Sequence, residues 1–359
     1  MTTHRILSLA LTLMSLGTVT AQTEVTDYQP GVTAEGITYF LPQTAFEVTV
    51  TANRTTYTPG EYAAYARRYL RLEGVSLQSY DTWTVTDVRL TPFGVADKRR
   101  AYSIKLKTKT SAPLVSLAPD GRLLSVGATS VADDMPHATH QVQAQPVKHL
   151  NAADYKTEEI LSAGSRSKMA ELTAAEIYDI RENRSLLTKG QADFMPKDGE
   201  QLRLMLAQLD EREEALLSLF KGTTSVESHT YTFTFIPAGA VNDTILFRFS
   251  RYLGLVDADD LAGEPYLLTL TDLGSLPDAV TTADPKGKKE ENSLRYVVPG
   301  RGRLVINHGS ETLLSQDVPM AQFGRIEQLG GDLFNKRYNT RVFLSPVTGG
   351  ISRIEADQP

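Results

Sequence analysis

The sequence predicts a β-rich α+β protein: two mainly antiparallel β domains, sandwich- or barrel-like, with a central helical hairpin between them. Three observations predict it. Apolar and polar residues alternate at period two from residue 36 to about 126. The period changes to 3.6 between 165 and 222, and short alternating runs separated by Gly, Pro and Asp return from 223 onward. Period two puts an apolar face on a strand, whereas 3.6 puts an apolar stripe on a helix.

Residues 1–21 read as a signal peptide. His4 and Arg5 give a short basic start, residues 6–16 an apolar run, and Val19 and Ala21 the small side chains a signal peptidase accepts. That run is shorter than the roughly 20 residues a helical bilayer span needs. A buried N-terminal helix is the competing reading.

An N-terminal β domain with one short helix is expected over 22–130. Phe46, Val48 and Val50 alternate with Glu47, Thr49 and Thr51, and Tyr102 and Ile104 alternate with Ser103 and Lys105. Val115 and Leu117 run into Pro119-Asp120-Gly121 before Leu123 resumes, which is a hairpin with its turn chemistry in place. Thr58-Pro59-Gly60-Glu61 reads as a capping box, and Tyr62, Tyr65, Ala66 and Tyr69 recur behind it at helical spacing.

Residues 131–164 lose periodicity and read as a connector. The helical hairpin is expected over 165–222. Met169, Leu172, Ile177, Ile180 and Leu187 share one arc of its first helix. Asp198 and Gln201 cap the second, Leu202, Met205, Leu206, Leu209, Leu216 and Phe220 form its stripe, and Gly222 ends it. A C-terminal β domain is expected over 223–359. Tyr231, Phe233 and Phe235 open it, and further strands are expected near 244–249, 266–271, 294–298, 303–307, 341–344 and 351–354. Residues 284–292 read as an exposed loop of mixed charge.

Composition excludes several classes. The chain has no cysteine, so it has no disulfide, no Cys nucleophile, no thiolate zinc site and no Cys for an N-terminal lipid. Its 37 Lys and Arg against 43 Asp and Glu leave a net charge of −6. That balance disfavours nucleic acid and anionic lipid, which want a basic surface. No transmembrane segment is expected after signal cleavage. The expected location is therefore exported, in the periplasm or cell envelope.

Several short motifs are similar to one family as a set. Tyr39-Phe40-Leu41-Pro42-Gln43-Thr44, followed by Gly60, Tyr62, Tyr65, Ala66 and Tyr69-Leu70, resembles its N-terminal signature. Ala174-Ala175-x-Ile177 with Ile180-Arg181-Glu182, then Phe194-Met195-Pro196-x-Asp198-Gly199, resembles its middle block. Ser250, Gly254, Asp260, Gly263-x-Pro265-Tyr266 and Ala321-Gln322-Phe323-Gly324 resemble its C-terminal half. The family is domain of unknown function 4831, exported proteins of Bacteroidetes. The resemblance spans about 36–355 and implies an envelope location. It carries no assigned chemistry or site residues.

Three clusters are candidates for binding. His137-x-x-His140 follows Asp133-Asp134, and imidazoles beside carboxylates suit zinc or copper; the same run also reads as a solvated loop. Asp257, Asp259, Asp260 and Glu264 crowd oxygen ligands that suit calcium, or build an Asp-rich turn. No other cofactor is predicted. Trp83, with Tyr80 and the tyrosines at 62, 65 and 69, offers flat faces for a sugar, or core packing. No Gly-x-Ser-x-Gly elbow is present, and catalytic residues are unassigned.

The expected function is non-catalytic binding or scaffolding of another macromolecule, an envelope protein or a glycan. The alternatives are a hydrolase whose residues meet only in the fold, or a carbohydrate-binding module with Trp83 exposed. A cleft gathering three of His137, His140, Asp257, Asp259 and Asp260 would favour the hydrolase.

Overall fold

The computed structural model describes residues 32–33, 36–104, 114–131, 135–144, 150–276, 294–329 and 339–357. The expected signal peptide at 1–21, Asp133, Asp134 and the run 284–292 expected as a loop lie outside the described residues.

One long hairpin organises the protein. β1 (Val32–Thr33) pairs with the start of β2 (Gly36–Thr58), and β2 pairs antiparallel with β3 (Tyr80–Ile104) from Ile37 to Tyr57. At about 3.3 Å per residue the 23 residues of β2 reach roughly 75 Å. A strand that long outruns any single layer, so different stretches of it serve different neighbours.

The sheets form three packed groups. β4 (Val115–Leu117), β5 (Leu123–Val126), β6 (Thr139–Ala144) and β7 (Thr223–Phe235) follow β3 in the chain. β7 pairs with β2 from Thr58 to Phe46, and β6 covers the far side of β7, so the first sheet runs β3-β2-β7-β6. The second is built from β8 (Val241–Ser250), β9 (Gly254–Val256), β10 (Glu264–Asp272), β11 (Leu294–His308) and β12 (Glu311–Leu329), in the order β12-β11-β10-β8-β9. The third is β14-β13-β5-β4, completed by β13 (Asn339–Leu344) and β14 (Ile351–Asp357).

Alternation decides which faces meet. Phe46, Val48, Val50 and Ala52 on β2 press onto Phe247, Leu268, Leu270, Leu304 and Met320 of the second sheet. The first half of β2 turns Tyr39 and Leu41 onto Leu123, Val297, Val342 and Leu344 instead. The β-rich α+β class and the antiparallel sheets are as the sequence predicts. The strands expected in two separate β domains share sheets, however. β7 sits beside β2, and β13 pairs with β5 across more than 200 positions of sequence. The physical reason is length: β2 has more apolar face than strands from its own half can cover.

The helices pack at the far end of that hairpin. A 3₁₀ turn (Ala63–Tyr65) leads into α1 (Ala66–Leu70); α2 (Glu158–Ser162), α3 (Arg166–Lys189) and α4 (Gly199–Lys221) follow. Ser165 Oγ accepts from the Lys168 N–H and Asp198 Oδ1 from the Gln201 N–H, while Gly190 and Gly222 close the helices at positive φ. Tyr62, Ala66 and Leu70 seal against Ala170, Ala174, Ile177, Leu216 and Phe220. The capping box expected at Thr58 does not form, and the 3₁₀ turn begins later without a side-chain cap. Thr58 is the last rung of the β2–β7 ladder, and the Tyr62 N–H donates to the Leu219 carbonyl at 2.6 Å.

A buried carboxylate ties α3 to α4. Glu213 accepts from Arg181 Nε at 2.7 Å and from Arg184, whose guanidinium also reaches Asp210. Burial pushes the Glu213 carboxyl up, but these hydrogen bonds outweigh it and hold the group below its usual value. A lowered folded-state value gives stability that is complete above the ordinary value of 4.5 and fades as pH falls through the lower one. The urea midpoint should therefore drop more steeply between about pH 6 and pH 3 in the native protein than in Glu213→Gln. Equal slopes would show that Glu213 carries none of the acid sensitivity.

Candidate functional site

The helical hairpin is closed at one end and open at the other. Near α1 both stripes are covered, with Ile177, Ile180, Leu216 and Phe220 buried. Toward the α3–α4 turn the α4 stripe loses its cover. Leu202, Met205, Leu206 and Leu209, the first half of the predicted α4 stripe, are only half-buried. A cavity of about 910 Å³ lies between the last turns of α3, the first turns of α4 and the segment 154–157.

The cavity is an apolar seat with a polar rim. Leu186, Leu204, Met205, Leu209 and Phe194 line it, with Tyr155 and Arg212 among its polar edges. Phe194 is 88 % exposed and Leu204 53 %, so two large apolar side chains stand at the mouth facing water. Arg212 reaches Glu176 through Nη2 at 2.7 Å, while its Nε is buried without a hydrogen bond. Burial pulls Lys156 down, but its ion pair with Glu61 at 2.7 Å more than offsets this, so the ammonium stays charged at the rim. Such an arrangement suits apolar side chains inserted between the helices, with a donor waiting for an acceptor group.

A second constellation lies on the first sheet, where β6 runs beside β7. His140 opposes Tyr231 and His229 opposes Val142, so the two histidines are diagonal neighbours on one face. His140 Nε2 lies 3.0 Å from His229 Nδ1. His140 stacks on Tyr231 with ring centroids 4.3 Å apart, and Trp83 meets His229 edge-on at 4.4 Å. On the far side of the His229 ring, Nε2 carries no hydrogen bond and faces Glu227 Oε2 at 3.6 Å. Arg54 links Glu227 to Asp81, and its guanidinium holds the Asp81 carboxyl below the usual range.

The other predicted residues separate. His137 lies in exposed coil before β6, while His140 turns onto His229, a partner 89 positions away. Asp257, Asp259 and Asp260 are exposed in the turn between β9 and β10. There Asp260 Oδ1 accepts from the Ala262 N–H, and Arg248 donates to the carbonyls of Ala258 and Gly263. Glu264 pairs with His308 at 2.9 Å. Among the described residues, no group of three or more His, Asp and Glu side chains converges to hold an ion. Trp83 is half-buried, walled by His229, Phe249 and the Arg54 guanidinium rather than standing in an open strip. The Ser165-x-x-Lys168 spacing is a helix cap, with Lys168 Nζ paired to Glu171.

The family model described as Domain of unknown function (DUF4831) matches residues 35–352. The chain belongs to this family. No curated protein and no solved structure matches it. Among the described residues no helix is long and apolar enough to cross a membrane.

Most of the DUF4831-like motifs are joints between layers. Tyr39 OH accepts from the Arg295 N–H at 2.9 Å and donates to the Arg295 carbonyl, tying β2 to β11; burial pushes this hydroxyl up, so it remains protonated. Thr44 and Gln322 join β2 to β12, and Gly60 lies against Leu219 of α4. Phe194-Met195 differs from these. It is a motif pair on the surface, with Phe194 88 % and Met195 43 % exposed, and Phe194 lines the cavity.

Proposed function

We propose that this DUF4831 protein is a non-catalytic exported protein that binds or scaffolds another envelope protein through the open end of its helical hairpin. The observation that carries this reading is the cavity of about 910 Å³ with Phe194 and Leu204 exposed at its mouth. An apolar seat between two helices takes apolar side chains of a partner segment, as helix-in-groove interfaces do. Leucine and methionine linings suit a protein chain better than a sugar, which wants flat aromatic faces and dense hydrogen bonding. Export rests on the leader pattern in residues 1–21.

The test uses tagged mature protein, a photo-crosslinking residue at 194, and envelope from the source cells. One stoichiometric protein should crosslink, and Phe194→Asp with Leu204→Asp should weaken its capture roughly tenfold or more. Both side chains face water, so thermal unfolding should stay unchanged. A crosslinked partner retained fully by the double variant would sink the cavity as its seat. A co-purifying glycan without a protein would support the carbohydrate-binding alternative.

A further inference from the structure

We propose that the His140–His229 pair is an acid-sensitive latch, which holds the edge strand β6 on the first sheet at neutral pH and releases it when both rings are protonated. His140 Nε2 lies 3.0 Å from His229 Nδ1, with the ring centroids 5.2 Å apart, so the nitrogens meet head to head across one N–H···N hydrogen bond. One neutral tautomer completes the set. His140 Nε2–H donates to His229 Nδ1, and His229 Nε2–H points at Glu227 Oε2, 3.6 Å away.

Counting protons gives the switch. One added proton is accommodated, because an imidazolium N–H still donates to the neutral ring opposite it. A second puts an N–H on each facing nitrogen with no lone pair between them, and sets two positive charges side by side. The latched pair therefore holds one proton where the released pair holds two in water. Acid favours release, by up to about tenfold per pH unit for the one extra proton. Imidazole is the side chain that ordinarily takes up its proton between about pH 5 and pH 8. The neighbours do not absorb the second charge. Glu227 on β7, Asp81 on β3 and Arg54 on β2 leave one net negative charge beside the pair, which balances one imidazolium and not two. Burial pushes the Tyr231 hydroxyl up, so it adds none, and Trp83 is neutral.

Little else holds β6. It pairs with β7 alone among the described strands, and all six of its residues are exposed. Thr139, Gln141, Val142, Gln143 and Ala144 carry no charge and bury no side chain. His140 is the side chain that packs, stacked on Tyr231 at 4.3 Å with an interplanar angle of 8°. Its partner His229 is fixed in the body of the sheet, 7 % exposed with Trp83 edge-on at 4.4 Å, so the strand and not the sheet gives way. Release makes β7 the edge and bares its backbone groups from Glu227 to Thr232.

The experiment is hydrogen–deuterium exchange of the intact protein at about pH 7.5 and about pH 5, with rates corrected for the intrinsic pH dependence of amide exchange. The amides of 139–144 should lose about tenfold or more of their protection in acid, while the β2–β3 ladder keeps its own. His140→Phe keeps a ring to stack on Tyr231 and takes no proton, so it should hold β6 equally at both pH values. His140→Asn is a second replacement that does not titrate, for use if the phenyl ring fails to seat. Histidine ring resonances of the native protein give a check without any variant: uptake of the second proton should coincide with the loss of β6 protection. Protection of β6 that survives that second proton, or an acid loss that persists in both variants, would overturn the proposal.

Discussion

Gly60→Ala should destabilise the protein by on the order of 3 kcal/mol and detach the helical hairpin from the long β-hairpin. A Cβ at this position would lie 2.2 Å from the Leu219 carbonyl oxygen and 2.6 Å from that of Ser218. Both are backbone atoms of α4, so nothing flexible can give way. Two residues on, the Tyr62 N–H donates to the same Leu219 carbonyl, and Tyr62 is fully buried against Phe220. Displacing the backbone at Gly60 therefore breaks a hydrogen bond and opens the core of the helical layer together. Gly199→Ala is the control: nothing lies within 4 Å of its added Cβ, and it sits in the first turn of α4. It should be neutral or gain up to about 1 kcal/mol, because alanine restricts the unfolded chain and favours helix. Urea unfolding of both variants checks the pair. Similar effects from the two would refute the close approach at Gly60.

Gln322→Ala should cost about 2–3 kcal/mol, a large effect for a residue that is not in the apolar core. β7 stops pairing with β2 at Phe46, and Thr44 is fully buried just beyond that point. The Gln322 side chain takes over there. Its Oε1 accepts from the Thr44 N–H at 3.0 Å, and its Nε2 donates to the carbonyls of Thr44 at 2.6 Å and Pro237 at 2.9 Å. The Thr44 hydroxyl in turn accepts from the Ala321 N–H. One amide thus stands in for the missing ladder rung and ties β2, β12 and the loop before β8 together. Truncation leaves three backbone groups without their protein partner in a part-buried site. Gln322→Glu separates shape from hydrogen bonding. It keeps the acceptor but sets a carboxylate oxygen against two carbonyls, so it should be at least as damaging as alanine. Chemical denaturation that finds Gln322→Glu close to native would show that volume matters and the amide does not.

Much of the local structure was legible along the chain. Ser165 and Asp198 mark the helix starts and Gly222 the last helix end because caps use atoms within a few residues of one another. The alternation at Phe46-Val48-Val50 and Tyr231-Phe233-Phe235 names the faces that enter the core. The family was legible as well, since short motifs at joints such as Gln43-Thr44 and Ala321-Gln322 survive as strings even when their meaning is spatial. The capping box at Thr58 was misread for the opposite reason. Its residues fit the local rule, but Leu219, 157 positions beyond Tyr62, supplies the acceptor that sets the conformation there.

The candidate sites divide in the same way. His140 was visible as a possible ligand, but the sequence offered His137 as its partner because that residue was close in number. Strand register brings His229 instead. The apolar stripe of α4 was correctly read as a stripe, yet nothing in its period says where the cover stops. That depends on the buried cluster around α1 ending at Ile180 and Leu216, which leaves Leu204 and Met205 to line a cavity.

The sequence by itself determined the strand and helix periods, the helix caps, the absence of thiol chemistry and the family. These follow from side-chain chemistry acting over a few residues, or from composition, and neither depends on the rest of the chain. Tertiary structure alone decided which strands share a sheet, that Gln322 completes a ladder, that His140 meets His229, and that one end of the helical hairpin stays open. Each of these is a contact between groups far apart in number. Such contacts are selected by the burial of whole faces and the pairing of stranded backbone groups, and no local pattern encodes which distant partner will satisfy them.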